Sequence, residues 1–225
     1  MLDPVTLTRS PEVPPLCRSA AAGAEQLPDL LLIERSRALD EQAIEALVRR
    51  YGRRLFRVAR SVLGEDLQAE AVVQEVFRGA FADLNRYEPT GKFAAWLTQL
   101  TYLQARALRA LPRTHGGTLA TAENEEALER RELEAALAGL PEVFRTVFTL
   151  RVIEGISGIE TAASLGVHET TVRTRLYRAH RRLNTELVRR IRQLQPPLHD
   201  LPAARLELLV AQVLRQLGAP ALLAR

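Results

Sequence analysis

The sequence predicts an all-α protein, and three observations support this prediction. Its 225 residues are rich in leucine, alanine, arginine and glutamate, whereas aromatic residues make up only 5% of the chain. Apolar residues recur at the three-to-four-residue spacing of amphipathic helices. Runs that would form strands are few. The expected architecture is two small helical domains joined by a flexible linker, with an accessory helix near the C-terminus.

The first domain is predicted at about 40–111 and consists of three helices. A short helix over Leu30–Leu39 leads into it. The first domain helix ends at Gly64, because glycine is the residue most often found just after a helix C-terminus. The second helix begins near Asp66, and the third follows a turn at 88–91. Their apolar stripes predict a core built from Ile44, Leu47, Val48, Tyr51, Leu55, Val58, Val62, Val73, Phe77, Ala80, Leu84, Phe93, Trp96, Leu97, Leu100 and Leu103.

The segment 112–130 is predicted to be a linker, since it contains a proline, a glycine pair and a cluster of glutamates. A second domain follows at about 131–190. It opens with a helix over Glu132–Ala138, and the next helix runs from near Pro141 to about Ile153. The residues before the first domain (1–39, with a proline-rich tail over 1–27) and after the second (191–225) are assigned as N-terminal and C-terminal extensions.

The rest of the second domain predicts a helix-turn-helix. Ser157-x-x-Glu160 is a capping box, in which each side chain accepts a free backbone amide at the start of a helix. Gly166 ends that helix, and a basic helix begins at about Glu169. The basic helix has an apolar face of Val172, Leu176, Ala179 and Leu183. Its remaining surface carries Thr171, Arg173, Thr174, Arg175, Arg178, Arg181 and Arg182.

Charge is distributed unevenly along the chain. The formal net charge is +4, but residues 168–192 contain eight arginines and two glutamates, whereas residues 123–142 contain seven glutamates and two arginines. A basic helix surface of this kind favours a polyanion as partner. The sequence therefore indicates a nucleic-acid-binding segment and a second segment kept away from nucleic acid.

Several function classes are disfavoured by what the sequence contains. Cys17 is the sole cysteine, which excludes an internal disulfide framework and a cysteine-rich zinc site. The four histidines lack metal-ligand spacing, and no nucleophile–base arrangement is recognisable, so neither catalysis, a metal nor a cofactor is expected. There is no membrane-length apolar stretch and no secretory-signal pattern at the N-terminus, and a cytoplasmic location is therefore expected.

One more amphipathic helix is predicted near the C-terminus, over residues 202–217, with Gly218 and Pro220 ending it. Its apolar stripe must pack on its own domain, on a second copy of the chain or on a regulator, and packing within the chain is the expectation. Burial of the basic helix by this element would make the protein self-inhibiting. The stripe consists of Leu206, Leu209, Val213 and Leu217.

Two further stretches are distinctive as wholes: residues 47–97, and residues 139–183 with the sequence GLPEVFRTVFTLRVIEGISGIETAASLGVHETTVRTRLYRAHRRL. They resemble, respectively, the second and the fourth conserved regions of the extracytoplasmic-function (ECF, group IV) sigma factors, the small promoter-recognition subunits of bacterial RNA polymerase. The resemblance implies binding to core RNA polymerase, recognition and melting of promoter DNA, and no catalysis by the chain itself. An anti-sigma factor or another regulator is an additional partner that the resemblance allows.

The resemblance also implies site residues. The basic helix would enter the major groove of the upstream promoter element, where arginine reads guanine and threonine contributes a hydroxyl or methyl contact. The helix that handles melted DNA would begin at Trp96, whose alternative role is core packing. The DNA-contact candidates are Thr170, Thr171, Arg173, Thr174, Arg178, Arg181, Trp96, Arg106 and Arg109. The polymerase-contact candidates are Glu70, Gln74 and Glu75.

The chain departs from the family pattern at several positions. Gln68 and Ala71 stand where the family often has acidic residues. The family often has Arg-Asn at the positions of Tyr102 and Leu103, and an acidic residue near Ala107. These differences keep an alternative open, namely a helix-turn-helix transcription regulator that no longer opens promoters. A protein-interaction module is a third alternative.

Overall fold

A computed structural model of the chain describes residues 26–87, 92–110, 125–194 and 197–218. Within these ranges the secondary structure is helical, with ten α-helices and no strand. The all-α prediction is confirmed. No helix in the same ranges combines the length and apolar character needed to cross a bilayer.

Four helices form a first bundle. They are α1 (Asp29–Arg37), α2 (Glu41–Leu63), α3 (Asp66–Ala82) and α4 (Phe93–Arg109), with a short 3₁₀ turn at Leu84–Arg86. Asp40 caps α2, because its side chain accepts the backbone amides of Gln42 and Ala43 at 3.0 and 3.3 Å. Gly64 ends α2 as predicted, with a left-handed φ of 79° that glycine adopts without strain.

The first bundle is held together by the apolar face of α2, which packs against α1, α3 and α4. Leu47 and Leu55 on α2, Phe77 on α3 and Leu97 on α4 are fully buried. Because α2 lies in the middle of the bundle, it fixes the positions of the three helices around it. The resulting cluster contains most of the core positions predicted for this part of the chain. The prediction is wrong for Leu103, which is 53% exposed.

The second bundle begins with α5 (Glu125–Ala138) and α6 (Glu142–Phe148), and α6 continues as a π-helical turn over Thr149–Ile153. The helix-turn-helix follows as α7 (Gly158–Leu165) and α8 (Glu169–Arg182), and α9 (Thr185–Gln193) completes the bundle. A second core holds α5, α6, α8 and α9 together, whereas Ala162 and Leu165 of α7 belong to the cluster of the first bundle. The second core consists of Leu133, Leu137, Leu140, Phe148, Ala179, Leu183, Val188, Ile191 and Leu198.

The structure corrects the sequence prediction at two places. Helix α5 begins at Glu125, inside the predicted linker, since glutamates are favoured in the first turn of a helix as well as in loops. Helix α9 was not predicted at all. It is separated from α8 because Asn184 caps it, with its side-chain oxygen accepting the Leu187 amide at 2.8 Å.

Three predictions fall on parts of the chain outside the described residues. They concern the proline-rich N-terminal tail up to residue 25, the turn at 88–91 and the linker over 112–124.

The two bundles pack directly against each other, with α7 on α4 and α6 on α2. Ion pairs line this contact: Glu154 accepts from Arg57 and, at 3.3 Å, from Arg54. Arg109 on α4 pairs with Glu142 on α6 at 2.6 Å. The described parts of the two bundles therefore form a closed arrangement.

The C-terminal segment (residues 197–218) contacts both bundles. Its helix α10 (Ala203–Gly218) packs on α2 and α3 of the first bundle. Ahead of the helix, Leu198 is buried in the core of the second bundle, and Asp200 pairs with Arg57. The prediction of an intrachain C-terminal helix is thus confirmed. Burial of the basic helix by this helix, which the sequence left open, is not observed, because α10 lies on the other bundle.

His199 gives the C-terminal segment a pH dependence. Burial, together with the positive charge of Arg60, lowers its pKa from an ordinary 6.5 to about 4; Arg145 and Arg130 act in the same direction, and Asp66 opposes them. Between these values the unfolded chain binds a proton that the folded chain excludes. Stability is therefore lost as the pH falls from 6.5 towards 4, by at most about 3 kcal/mol.

Replacing His199 by asparagine is expected to remove this loss. Asparagine tolerates the left-handed backbone of this position, where φ is 56°. Denaturant unfolding at pH 7.5 and at pH 5 provides the measurement. His199→Asn should match the parent chain at pH 7.5 and exceed it at pH 5. An equal acid loss in both proteins would contradict the assignment.

Candidate nucleic-acid interface

The helix-turn-helix starts with the predicted capping box. Ser157 Oγ accepts the Glu160 amide at 3.2 Å, and the Glu160 carboxylate accepts the Ser157 amide at 3.3 Å. The ammonium group of Lys92 and the hydroxyl of Ser157 hold the pKa of Glu160 below its usual range. Because Lys92 lies at the start of α4, this cap also connects the helix-turn-helix to the first bundle.

The turn between α7 and α8 depends on Gly166, whose φ is 63°. A Cβ atom at this position would meet no atom within 4 Å, so the requirement for glycine comes from the backbone conformation alone. Val167 then donates its amide to the Ala162 carbonyl at 3.0 Å, which closes the end of α7.

Changing Gly166 to alanine is expected to destabilise the protein by about 1–2 kcal/mol, the cost of a left-handed conformation for a residue with a side chain. Gly79→Ala is the matched control. Gly79 lies inside α3, and its added Cβ would also meet open space. There alanine should stabilise by up to about 1 kcal/mol through helix propensity. Thermal unfolding of both variants provides the measurement, and a shift in the same direction for both would contradict the prediction.

One face of α8 anchors it to the second bundle. Val172 and Ala179 are buried, and Leu183 is buried just beyond the helix. His180 contacts the ring of Phe148, and burial lowers the pKa of His180. Arg182 stacks on the ring of Phe144 at 5.2 Å. These contacts fix the rotation of α8, so its opposite face must point outward.

The six DNA-contact candidates on α8 lie on or beside the outward face. Thr171 is half-buried, and the others are exposed, namely Thr170, Arg173, Thr174, Arg178 and Arg181. Thr174 donates its hydroxyl to the Thr170 carbonyl at 2.9 Å, which leaves its methyl group free to contact a base. The helix presents hydroxyl, methyl and guanidinium groups without obstruction by other described parts of the chain. Contact of these residues with DNA stays a prediction.

Sequence reasoning missed Tyr177. Its side chain is 63% exposed and follows Thr170 and Thr174 on the same line along α8, with Arg181 one turn further. Tyrosine is enriched at interfaces, where its ring can stack and its hydroxyl can form a hydrogen bond. The signal available in the sequence was its position, seven residues after Thr170 and opposite the apolar face.

The polymerase-contact candidates lie on two sides of α3. Glu70 is half-buried and pairs with Arg205 of α10 at 2.7 Å. Gln74 is four residues further and so lies on the same side of the helix. Glu75 lies on the solvent side and is paired with Arg78, whose guanidinium holds the pKa of Glu75 below its usual range.

The candidates on α4 have different environments. Trp96 is half-buried and packs against Tyr87 and Phe93, with ring centroids 4.9 and 5.5 Å away, so part of it belongs to the core. Arg106 is exposed and lies over the ring of Tyr102 at 5.6 Å. Arg109 is held by Glu142 in the contact between the bundles. The three candidates therefore differ in exposure and in the contacts that they already make within the chain.

No group of three or more histidine, cysteine, aspartate or glutamate side chains in the described ranges is arranged to hold a metal ion.

Comparison with protein families matches both bundles. The model described as Sigma-70 region 2 matches residues 47–113, and the model described as Sigma-70, region 4 matches residues 130–183. The second match includes the whole helix-turn-helix.

Curated relatives are similar over longer stretches. The ECF RNA polymerase sigma-E factor of Escherichia coli (strain K12) is 32% identical over 192 residues, which cover 76% of this chain and 100% of that protein. The ECF RNA polymerase sigma factor SigE of Mycolicibacterium smegmatis is 33% identical over 159 residues, covering 64% of this chain and 62% of that protein.

A solved structure, that of CnrH in complex with the cytosolic domain of CnrY, shares the fold. It superposes with a TM-score of 0.55 and 28% identity, covering 68% of this chain and 93% of that chain. Two bundles in the family order, a capped helix-turn-helix with an open basic face and full-length similarity to the Escherichia coli protein agree with one another. The chain belongs to the ECF family of RNA polymerase sigma factors.

Proposed function

We propose that this chain binds core RNA polymerase and directs it to the promoters of a specialised regulon, where it helps to melt the DNA. It would act in the cytoplasm as a group IV factor and catalyse no reaction itself. The domain at about 40–111 would bind polymerase and help to melt the DNA. The domain at about 131–190 would recognise the upstream promoter element.

The observation that carries the proposal is the outward face of α8. Its apolar face is fixed in the second bundle, while exposed Thr170, Thr174, Tyr177 and Arg181 lie along one line on the opposite side. The N-terminal residues of such a helix approach base edges, and later arginines approach phosphates. We therefore assign base reading to Thr170, Thr171, Arg173 and Thr174, and phosphate contact to Arg178 and Arg181.

In the first domain, Glu70, Gln74 and Glu75 on α3 would contact polymerase. Trp96, Arg106 and Arg109 on α4 would meet melted DNA once the two bundles separate, since the Arg109 guanidinium, although 38% exposed, has to leave Glu142 to contact a phosphate. Promoter binding therefore requires a more open arrangement than the closed one.

A second candidate function, a regulator that no longer opens promoters, is favoured by one observation. Leu103 on α4 is 53% exposed and apolar, while Tyr102 beside it is buried. An exposed leucine offers no hydrogen-bonding group to an unpaired base where the resemblance leads one to expect asparagine.

In vitro transcription separates the two functions. Purified full-length chain is combined with bacterial core polymerase and templates selected from random-sequence duplex DNA. We expect transcripts that start at a fixed distance from a shared sequence and that need the chain. Sequence-specific duplex binding without transcripts would favour the regulator, and neither binding nor transcripts would refute both functions.

A further inference from the structure

The C-terminal segment joins the two bundles through buried contacts at both of its ends. Leu198 is fully buried in the core of the second bundle, and three residues later Leu201 is buried in the core of the first. The Pro197 carbonyl accepts Arg130 of α5 at 2.6 Å, while Asp200 pairs with Arg57 of α2. The short stretch ahead of α10 thus holds the closed arrangement in place.

Helix α10 then occupies a groove formed by α2 and α3. Leu206, Leu209, Val210 and Val213 are buried there. The groove includes Gly52 of α2, where a Cβ atom would lie 2.9 Å from a Leu206 methyl carbon and 3.4 Å from one of Leu209. A glycine in the middle of a 23-residue helix lowers helix stability, and here it permits a second helix to approach closely.

Polar contacts on both sides of the groove fix the register of α10. Arg49 of α2 forms a bidentate pair with Glu207, one of whose contacts measures 2.6 Å. On the other side Arg205 reaches Glu70 of α3 at 2.7 Å. The helix is therefore seated by apolar burial and by an ion pair to each of the two helices below it.

The inference rests on the proposed function, because Glu70 is one of the residues assigned to polymerase binding. With Arg205 bound to it, Glu70 cannot offer the same carboxylate to another protein. Gln74 lies on the same side of α3, whereas Glu75 on the solvent side stays accessible. Helix α10 and polymerase would thus compete only for the side of α3 that carries Glu70.

We propose that the C-terminal segment is an internal inhibitor: it holds the two bundles together and shields the Glu70 side of α3, so that polymerase has to displace α10 to bind fully. A competent state populated at 0.1–10% reduces apparent affinity in proportion to its population. Releasing α10 should therefore tighten polymerase binding by about tenfold or more.

Two neighbouring leucines provide a matched test in the full-length chain. Leu209 is 4% exposed and faces the groove, whereas Leu208 is 57% exposed and faces solvent. Leu209→Asp places a charge in the groove and should release α10, while Leu208→Asp adds the same charge without touching it. We expect at least a tenfold gain in affinity for core polymerase with Leu209→Asp and no change with Leu208→Asp.

Hydrogen exchange shows whether each variant keeps its fold. In Leu209→Asp the amides of α10 and the Glu70 side of α3 should exchange faster, while those of α8 and α9 stay protected. A folded Leu209→Asp protein with unchanged or weaker polymerase binding would overturn the proposal. A milder pair of variants guards against misfolding. Glu207→Arg should also tighten polymerase binding, and adding Arg49→Glu should reverse part of that gain, because it re-forms the ion pair but loses the contact of Arg49 with Glu45.

A reversible lock completes the test. In a Cys17→Ser background, Arg49→Cys and Glu207→Cys are joined by a reducible bismaleimide. The locked chain should bind polymerase at least tenfold more weakly than the reduced one, and equal binding would overturn the proposal. If no variant binds polymerase at all, the proposed function fails. Hydrogen exchange then decides by itself whether α10 shields the Glu70 side of α3. Faster exchange of α3 amides in Leu209→Asp supports the shielding, and unchanged exchange overturns it.

Discussion

Replacing Glu154 by glutamine is expected to lower the free energy of unfolding by about 3–5 kcal/mol, the usual cost of removing one partner from a buried ion pair. The Glu154 side chain is 5% exposed and accepts from Arg54 and Arg57 of α2. Glutamine keeps the shape but leaves both guanidinium groups without that negative charge. Asp200 still pairs with Arg57, which places the loss towards the lower end of this range.

Denaturant unfolding followed by the fluorescence of Trp96, the only tryptophan, provides the measurement. Glu34→Gln is the control, because Glu34 is 63% exposed and pairs with Arg37 at the surface. A surface pair of this kind contributes less than about 1 kcal/mol. Similar losses in the two variants would show that Glu154 does not hold the bundles together. Small-angle scattering should also detect a larger radius of gyration for Glu154→Gln.

Replacing Arg178 and Arg181 together by alanine should weaken promoter binding uniformly across sequences and reduce its salt dependence. Each lost phosphate contact lowers the slope of log affinity against log salt by about 0.9. For two lost contacts, that slope implies that the ratio of parent affinity to variant affinity changes on the order of tenfold between 50 and 200 mM salt. The measurement is the affinity of the reconstituted holoenzyme for a selected duplex at several salt concentrations.

Two further variants give this measurement its controls. Arg175→Ala removes an identical charge from the same helix at a half-buried position beside the outward face, and should change the slope less. Arg173→Ala lies in the first turns, where base contact is assigned, and should cost about 1–3 kcal/mol at one base pair and relax the preference there. An Arg175→Ala effect equal to that of the double variant would contradict the orientation of α8.

Most of the helices could be predicted from the sequence, since their signals are local. The apolar period of α2 and α3, the capping box at Ser157 and the left-handed glycines at 64 and 166 depend only on neighbouring residues. Helix α9 was missed because its start depends on a single asparagine cap inside an arginine-rich run. The predicted start of helix α5 is too late in the chain, because glutamates are common both in linkers and in the first turn of a helix.

The candidate site was predictable in part for the same reason. The outward face of α8 follows from its apolar face, because a helix buried along Val172 and Ala179 must expose the residues opposite. Tyr177 shares that face and follows from the same argument, but the sequence prediction named only threonines and arginines there. Arg109 was predicted as a DNA contact from its position in the chain, and its pairing with Glu142 could not have been read there.

The sequence by itself determined the helical class, the order of the two bundles and the composition of the α8 surface, because periodicity, caps and charge are properties of adjacent residues. Only the tertiary structure decided that α10 lies on α2 and α3 and not on the basic helix, and that Glu154 joins the bundles. An apolar stripe predicts that one face of a helix is buried, but it does not predict which apolar groove buries that face. The close approach at Gly52 and the ion pairs of Arg205 and Glu207 select one groove, and they exist only once distant residues have come together.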